Sequence, residues 1–371
     1  MQYAKQVICR HLLAGPFAFA LAFPTRAAEM GTVAIHGSVS TTAAYSPEYN
    51  YLGDTKDSVD LNQTEITVNG THRFENGLKV AAQLYAYDFS GYEDLTVDFA
   101  NADYSFRREA GVRVGRNKLS IGFYNEVQDL DQIRIFASLP LNFYQRSSRS
   151  FGANFDGASF YGNVGVGNGS VDYQVYYGDM QPIDPDAPFM KGLGASKLDI
   201  NTTYGAALAW NNIIDGLRVG VTYFKLPEID LNSGPAISTI DYQTQVASVE
   251  YTRDRWIFAA EYKHIETDSQ VQNFPLPPSH GEEDHSYVQV TYQATDTFGI
   301  GAYYAYSDYS TKGADKDTAL AASYALQSWW LVKAEVHFMD GIGNLGHSGD
   351  SNPGATDETW TYFVLKTGIS F

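Results

Sequence analysis

Cysteine is almost missing from this 371-residue chain: there is one, Cys9, and it lies among the first ten residues. With no disulfide available, the fold must take its stability from backbone pairing and packing. Long apolar runs are missing too. Beyond residue 27 no stretch of about 18 apolar residues occurs, which excludes a transmembrane helix. Positive charge is scarce, with Lys+Arg at 25 against 43 Asp+Glu and a net charge of −18. That balance lacks the basic face needed by a nucleic-acid partner. Hydrophobic residues stand at 44%, close to the globular average, so disorder is excluded as well.

What is present begins with a leader. Lys5 and Arg10 form a basic start, and residues 12–23 form an apolar core too short to span a bilayer. Thr25-Arg26-Ala27 offers small residues at a cleavage site, so residues 1–27 read as a secretory signal peptide and 28–371 as one domain. A buried first helix is the alternative, weakened by the polar, strand-like sequence that follows at once. Cys9 precedes the apolar core, so no lipid anchor is expected there. Cleavage leaves 22 basic and 43 acidic residues and no thiol.

From residue 32 onward the dominant pattern has a period of two. Val33, Ile35, Val39 and Ala43 alternate with His36, Ser38 and Ser40. Leu217, Val219, Val221 and Tyr223 alternate with Arg218 and Thr222. Trp330, Val332, Val336 and Phe338 alternate with Lys333, Glu335 and His337. Such runs are strands with one apolar and one polar face, and about sixteen of them occur. Short links at 75–77, 108–110, 167–169, 211–216, 253–255, 295–297 and 327–328 alternate with mostly longer polar links. The longer ones lie at 46–61, 118–153, 179–197, 227–240, 266–284 and 340–357, with two brief ones at 90–95 and 310–316. Brief turns at one end and long loops at the other predict an up-and-down meander. With no membrane helix available, a membrane location requires a closed barrel, because every backbone group must be satisfied in hydrocarbon.

The polar parity carries Glu65, Arg73, Arg107, Asp172, Arg218, Glu250, Glu261, Lys263 and Lys333. These charges suit an aqueous lumen and are costly in a packed core. A soluble or surface β-structured adhesin is the alternative of another class, with that parity facing solvent. At the end of the sequence Phe363, Leu365, Ile369 and Phe371 take alternate positions, predicting that the last strand pairs with the first.

Sixteen strands, a leader, a terminal Phe and a long third loop resemble the porin superfamily of Gram-negative outer membranes. The closest local match is Gly115-Arg116-Asn117, before a loop running to about 153, after which 155–162 restarts the barrel and 171–177 makes the next strand. The resemblance implies an all-β, transmembrane antiparallel barrel of about sixteen strands with the third loop folded into the lumen. It implies a passive channel for small hydrophilic solutes and ions, set in outer-membrane lipid and lipopolysaccharide and assembled as a homotrimer. It implies no cofactor. The family's basic cluster is not carried over: its positions fall on Glu65, near Thr96 and near Asn154. Loop 90–95 is also short for an inter-subunit latch.

Segment 118–153 is the longest gap between strands, and loops of that length are usually functional or disordered. Phe123, Tyr124, Ile133, Ile135, Phe136, Leu141, Phe143 and Tyr144 make it too apolar for a free tail. Its charges, Glu126, Asp129, Asp131, Arg134, Arg146 and Arg149, are the expected pore constriction, since fixed charge at a narrow point selects ions. They would equally serve to pin the loop to the wall. Expected wall residues are Glu65, Arg73, Lys79, Arg107 and Arg113. Arg116 has outward parity unless the strand bends at Gly115. Tyr85, Tyr87, Tyr176, Tyr287 and Tyr303 have inward parity and would serve either as wall filler or as the track of a substrate-specific sugar or anion channel. The excess of acid favours a mild cation preference.

Enzymatic and metal chemistry find little support. His280 and His285 flank Glu282-Glu283-Asp284, but the spacing follows no ligand template. Asp184/Asp186 and Asp315/Asp317 read as solvated loops able to meet lipopolysaccharide-bridging ions. An outer-membrane esterase or phospholipase would need an activated Ser or Thr, and no Gly-x-Ser-x-Gly element occurs. Gly162 to Gly169 joins two strands and is not a phosphate loop.

Overall fold

The computed structural model describes residues 28–30, 33–89, 92–144, 149–309, 313–343, 345, 352–356 and 359–371. The proposed leader, 1–27, lies outside them, as does Arg146. The strands are β1 Ala28–Met30, β2 Val33–Tyr45, β3 Asp60–Arg73, β4 Leu78–Phe89, β5 Tyr92–Arg107 and β6 Ala110–Lys118. After the third loop come β7 Asn154–Val166, β8 Gly169–Asp179, β9 Lys197–Ile200, β10 Thr203–Asn211, β11 Leu217–Ser233 and β12 Ala236–Arg253. The chain ends with β13 Trp256–Val271, β14 Ser279–Gln293, β15 Phe298–Tyr309, β16 Gly313–Gln327, β17 Trp330–Asp340 and β18 Thr359–Ser370.

Each strand pairs antiparallel with its neighbour, and β18 pairs with β2 from Phe363↔Tyr45 to Ser370↔Ser38. The sheet therefore closes, as the terminal alternation predicted. Sixteen strands, β2–β8 and β10–β18, make the wall of this all-β barrel. β9 continues β10 along β11, pairing at Ile229–Asn232 above a bulge between Leu226 and Ile229. β1 extends the seam beside β2. Phe371 exchanges backbone hydrogen bonds with Gly37, and a Cβ on Gly37 would lie 2.5 Å from the Phe371 ring.

Orientation follows the period of two. Leu208, Val221, Phe258, Val288, Leu320 and Leu365 are about half exposed on the outside, while Glu65, Glu261, Lys333, Glu335, His337 and Lys366 on the other parity are buried. Apolar side chains thus face out all around the ring and charges face the enclosed space. A packed soluble core would reverse that order. Trp210, Trp256, Tyr292, Tyr304, Trp330 and Phe338 add aromatic side chains to the outer face.

Two of the expected long loops are strand instead. β11 and β12 run through most of 227–240 and turn at Gly234, and β13 and β14 leave only 272–278 between them. The outward residues here are Lys225, Asp241, Gln243, Glu266, Asp268, Glu282 and Asp284, paired across the strands as Lys225–Asp241 and His280–Asp268. The outward face is polar here and the inward one carries Leu226, Ile229, Ile240 and Ile265, so the apolar-out alternation disappears while backbone pairing continues. Asp315 and Asp317 are likewise corrected: they lie on β16, buried, not in a solvated loop.

Candidate functional site

The segment between β6 and β7 has little regular structure, only two 3₁₀ turns at Asn125–Val127 and Asp131–Ile133 and a short helix at Arg149–Gly152. Asn125 ties its two ends together, donating from Nδ2 to the carbonyls of Leu119 at 2.7 Å and Gly152 at 2.9 Å. Gly122, at φ +60, permits the first bend and donates its N–H to Thr222 on β11.

One anchor is Glu261 on β13. Its carboxylate accepts the Phe123 N–H at 2.8 Å, the Tyr287 hydroxyl at 2.6 Å and the hydroxyls of Ser248 and Tyr144. Tyr124 donates to Glu250 on β12. Burial, with Glu261 beside it, pushes the Tyr144 hydroxyl well above its ordinary pKa. Lys263 Nζ donates to the Phe143 carbonyl at 2.6 Å, and Asn142 donates to Ser307 on β15.

The other anchor is Asp131. Lys366 Nζ on β18 lies 2.8 Å from it, Arg134 at 2.8 Å, and Lys333 on β17 donates to its backbone carbonyl at 2.7 Å. Burial alone would raise this carboxyl, but Lys366, Arg134 and Lys333 outweigh it and hold it at about 2. Lys366 also reaches Glu65 at 3.0 Å, and Glu335 accepts the Ala137 N–H at 2.5 Å. Asp129 sits beside Lys118 at 2.6 Å and Gln83 at 2.5 Å. Burial opposes its ionisation, and Lys118 and Arg149 more than compensate, lowering its pKa. A bulge in β5 turns both Asp98 and Phe99 toward the enclosed face, where Asp98 meets Lys118 at 3.1 Å and Arg149 at 3.0 Å.

The sequence-predicted residues therefore divide. Asp129, Asp131, Arg134 and Arg149 are in ion pairs that fasten the segment. The Glu126 backbone carbonyl accepts Lys118 Nζ at 3.0 Å, but among the described residues its carboxylate accepts only the Ser120 hydroxyl, and it lines an open cavity. Among the wall residues, Glu65 bonds Lys366 and the Tyr85 hydroxyl at 2.5 Å. Lys79 and Arg113 share Asp103, at 3.4 Å and 3.1 Å. Arg73 is exposed at the short-turn end, and Arg107 is exposed beside Glu109. Arg116 keeps its outward parity: despite φ +120 at Gly115, it pairs across the ladder with Asp156 at 2.7 Å. Tyr85, Tyr176, Tyr287 and Tyr303 are buried on the inward parity. The sequence reading did not single out Lys118, Asp98 or Lys366, and placed Glu335 on a polar face without a role, although a lone lysine on the inward parity of the last strand was a usable signal.

Two neighbouring cavities lie against this segment, on its short-turn side. One of about 680 Å³ is bordered by Glu126, Arg108, Arg113, Arg218 and Asp172. The second, of about 450 Å³, is bordered by Arg134, Glu250, Arg255 and Asp296 and shares Tyr124, Val127 and Ile133 with the first. Among the described residues no His, Cys, Asp and Glu group is arranged to hold a metal. Ser307, His285 and Glu283 form a hydrogen-bonded chain with distances of 2.7 Å and 3.3 Å. Ser307 has 0% exposure, and its Oγ already accepts from Asn142, so a substrate carbonyl has no approach to it.

No protein-family model and no curated protein sequence matches the chain. Solved structures do. OmpT of Vibrio cholerae, in-vitro folded, is 15% identical with a TM-score of 0.58, over 93% of this chain and 99% of that one. The anion-selective porin from Comamonas acidovorans is 14% identical at 0.60, over 91% and 99%. The outer membrane channel DcaP of Acinetobacter baumannii is 10% identical at 0.61, over 94% and 100%. At these identities the likeness is one of fold: this chain has the barrel of outer-membrane porins.

Proposed function

We propose that the chain is an outer-membrane porin, a passive diffusion channel for small hydrophilic solutes and ions, with segment 118–153 lying in the lumen and narrowing it. One observation carries this reading. Hydrogen bonds from that segment end on inward side chains of β4, β11, β13, β15, β17 and β18. Those strands stand around the ring, and one segment reaches them all only from inside it. The apolar outer belt supports a lipid surround, and the two cavities supply enclosed space for water between the segment and the short-turn end.

Glu126 is the segment acid we assign to ion selection, because it borders the larger of the two cavities while Asp129 and Asp131 are neutralised in pairs. Its field weakens as salt screens it. Chemistry is not part of the proposal. Residues 1–27 are assigned as a leader removed on export to a Gram-negative outer membrane, which N-terminal sequencing of the membrane-borne protein tests.

A homotrimer is proposed as the assembly. The Vibrio cholerae protein is described in a trimer form. The outward centre of β2–β5 also carries small side chains, Thr41, Ala43, Ala82, Ala86, Ala100 and Ala102, beside the aliphatic Val68, Leu84 and Val97. Cross-linking of the folded protein reads the copy number. Planar-bilayer recording with ion gradients tests the channel itself: discrete ohmic steps are expected, and a folded protein that gives none defeats the reading.

A further inference from the structure

Inside the long-loop end of the barrel is a third cavity, of about 220 Å³, that shares no lining residue with the other two. Its lining is mostly apolar: Phe143 from the inward segment, Phe189 and Leu198 from the following loop and β9, and Ile240 and Ile265 from the wall. A protein cavity of about 150 Å³ with such walls already takes up benzene, so this one has room for a substituted ring or a branched chain.

One cation opens into it. Lys263 donates a single hydrogen bond, 2.6 Å to the Phe143 carbonyl, and its ammonium lies 4.7 Å from the centre of the Phe143 ring. Among the described residues it forms no ion pair and no second hydrogen bond, so the ammonium retains donors that none of them fills. The acid on the same wall, Glu283, is 3.3 Å from His285. Glu261, two residues before Lys263, is occupied by its four donors. A partly buried ammonium facing an apolar chamber recognises a carboxylate carried on a hydrophobic body.

We propose that this chamber is a binding site for small apolar monocarboxylates, aromatic or branched, with the carboxylate on Lys263 and the hydrocarbon among Phe143, Phe189 and Ile265. It rests on the channel reading for its consequence, since a site inside the mouth would retain such acids on their way through. It also opposes a simpler role in which Lys263 only pins the Phe143 carbonyl.

Benzoate is the probe, titrated calorimetrically into the full-length, detergent-folded protein, with benzylamine as the charge-reversed control. Benzoate is expected to bind and benzylamine not. Lys263→Met should weaken benzoate at least ten-fold, Lys263→Arg should recover part of it, and Ile265→Trp should abolish it by filling the chamber. Heat-modifiable gel migration identifies variants that fold, and the Ile265 variant decides if the Lys263 variant does not. Equal benzoate affinity in these variants, or none in the parent protein, overturns the site. If the protein conducts in bilayers without binding benzoate, the channel reading stands and this inference falls. Lys263-dependent binding without conductance gives the reverse.

Discussion

Lys366 on the last strand stands 2.8 Å from Asp131 of segment 118–153, joining the seam of the barrel to that segment. Both groups are buried, and Glu65 and Lys333 extend the alternation of charge on either side. Losing one partner strands the others without solvent.

Asp131→Asn or Lys366→Met is therefore expected to destabilise the segment by about 3–5 kcal/mol, the usual cost of breaking a buried pair. Faster hydrogen exchange at 129–137 and a noisier, larger conductance are the expected readouts. An unchanged exchange profile would show that the remaining contacts suffice.

The pH response has a definite sign. The Asp131 carboxyl is held at about 2, below the unfolded value of about 3.9, so its stabilisation is fully present above pH 4. It is lost as pH falls from there toward 2. The contribution of Asp131 to amide protection of the segment, read as the difference between the parent protein and Asp131→Asn, should be constant from pH 8 to 5 and fall only below about 4. A transition near neutrality would implicate a different group.

Selectivity separates the acids. Glu126→Gln should move the reversal potential toward anions with little loss of thermal resistance. Asp129→Asn, by removing the partner of Lys118, should act first on stability. Equal selectivity shifts from the two variants would refute this division.

At the seam, Gly37→Ala places a Cβ 2.5 Å from the Phe371 ring and 2.8 Å from the Thr67 carbonyl. Overpacking of this kind costs about 1–3 kcal/mol. The variant should lose its heat-resistant gel migration at a lower temperature, and Phe371→Ala in the same chain should restore part of it.

Much of this was legible beforehand. Loops 46–59, 119–153 and 180–196 fall within a residue or two of their expected limits, because an apolar outer parity ends where lipid ends. The extensions of β11–β14 were not legible: outside the lipid zone neither face must be apolar, so a paired strand reads as a polar loop. In the segment itself, residue types named the candidates but not their uses. Asp129, Asp131 and Glu126 look alike in the chain, and only Lys118 and Lys366, the latter 235 positions from Asp131, set them apart.

By itself, then, the amino-acid order determined a meander of strands with one greasy and one polar face, which must close into a barrel if it is set in hydrocarbon; the structure chose the closed barrel with the greasy face outward over a soluble sheet with that face buried. Which charges meet across the interior, and which single cation is left facing an apolar chamber, was decided by the tertiary structure. Those pairings join residues from strands far apart in the chain, and a local pattern carries no information about what ring closure brings within 3 Å.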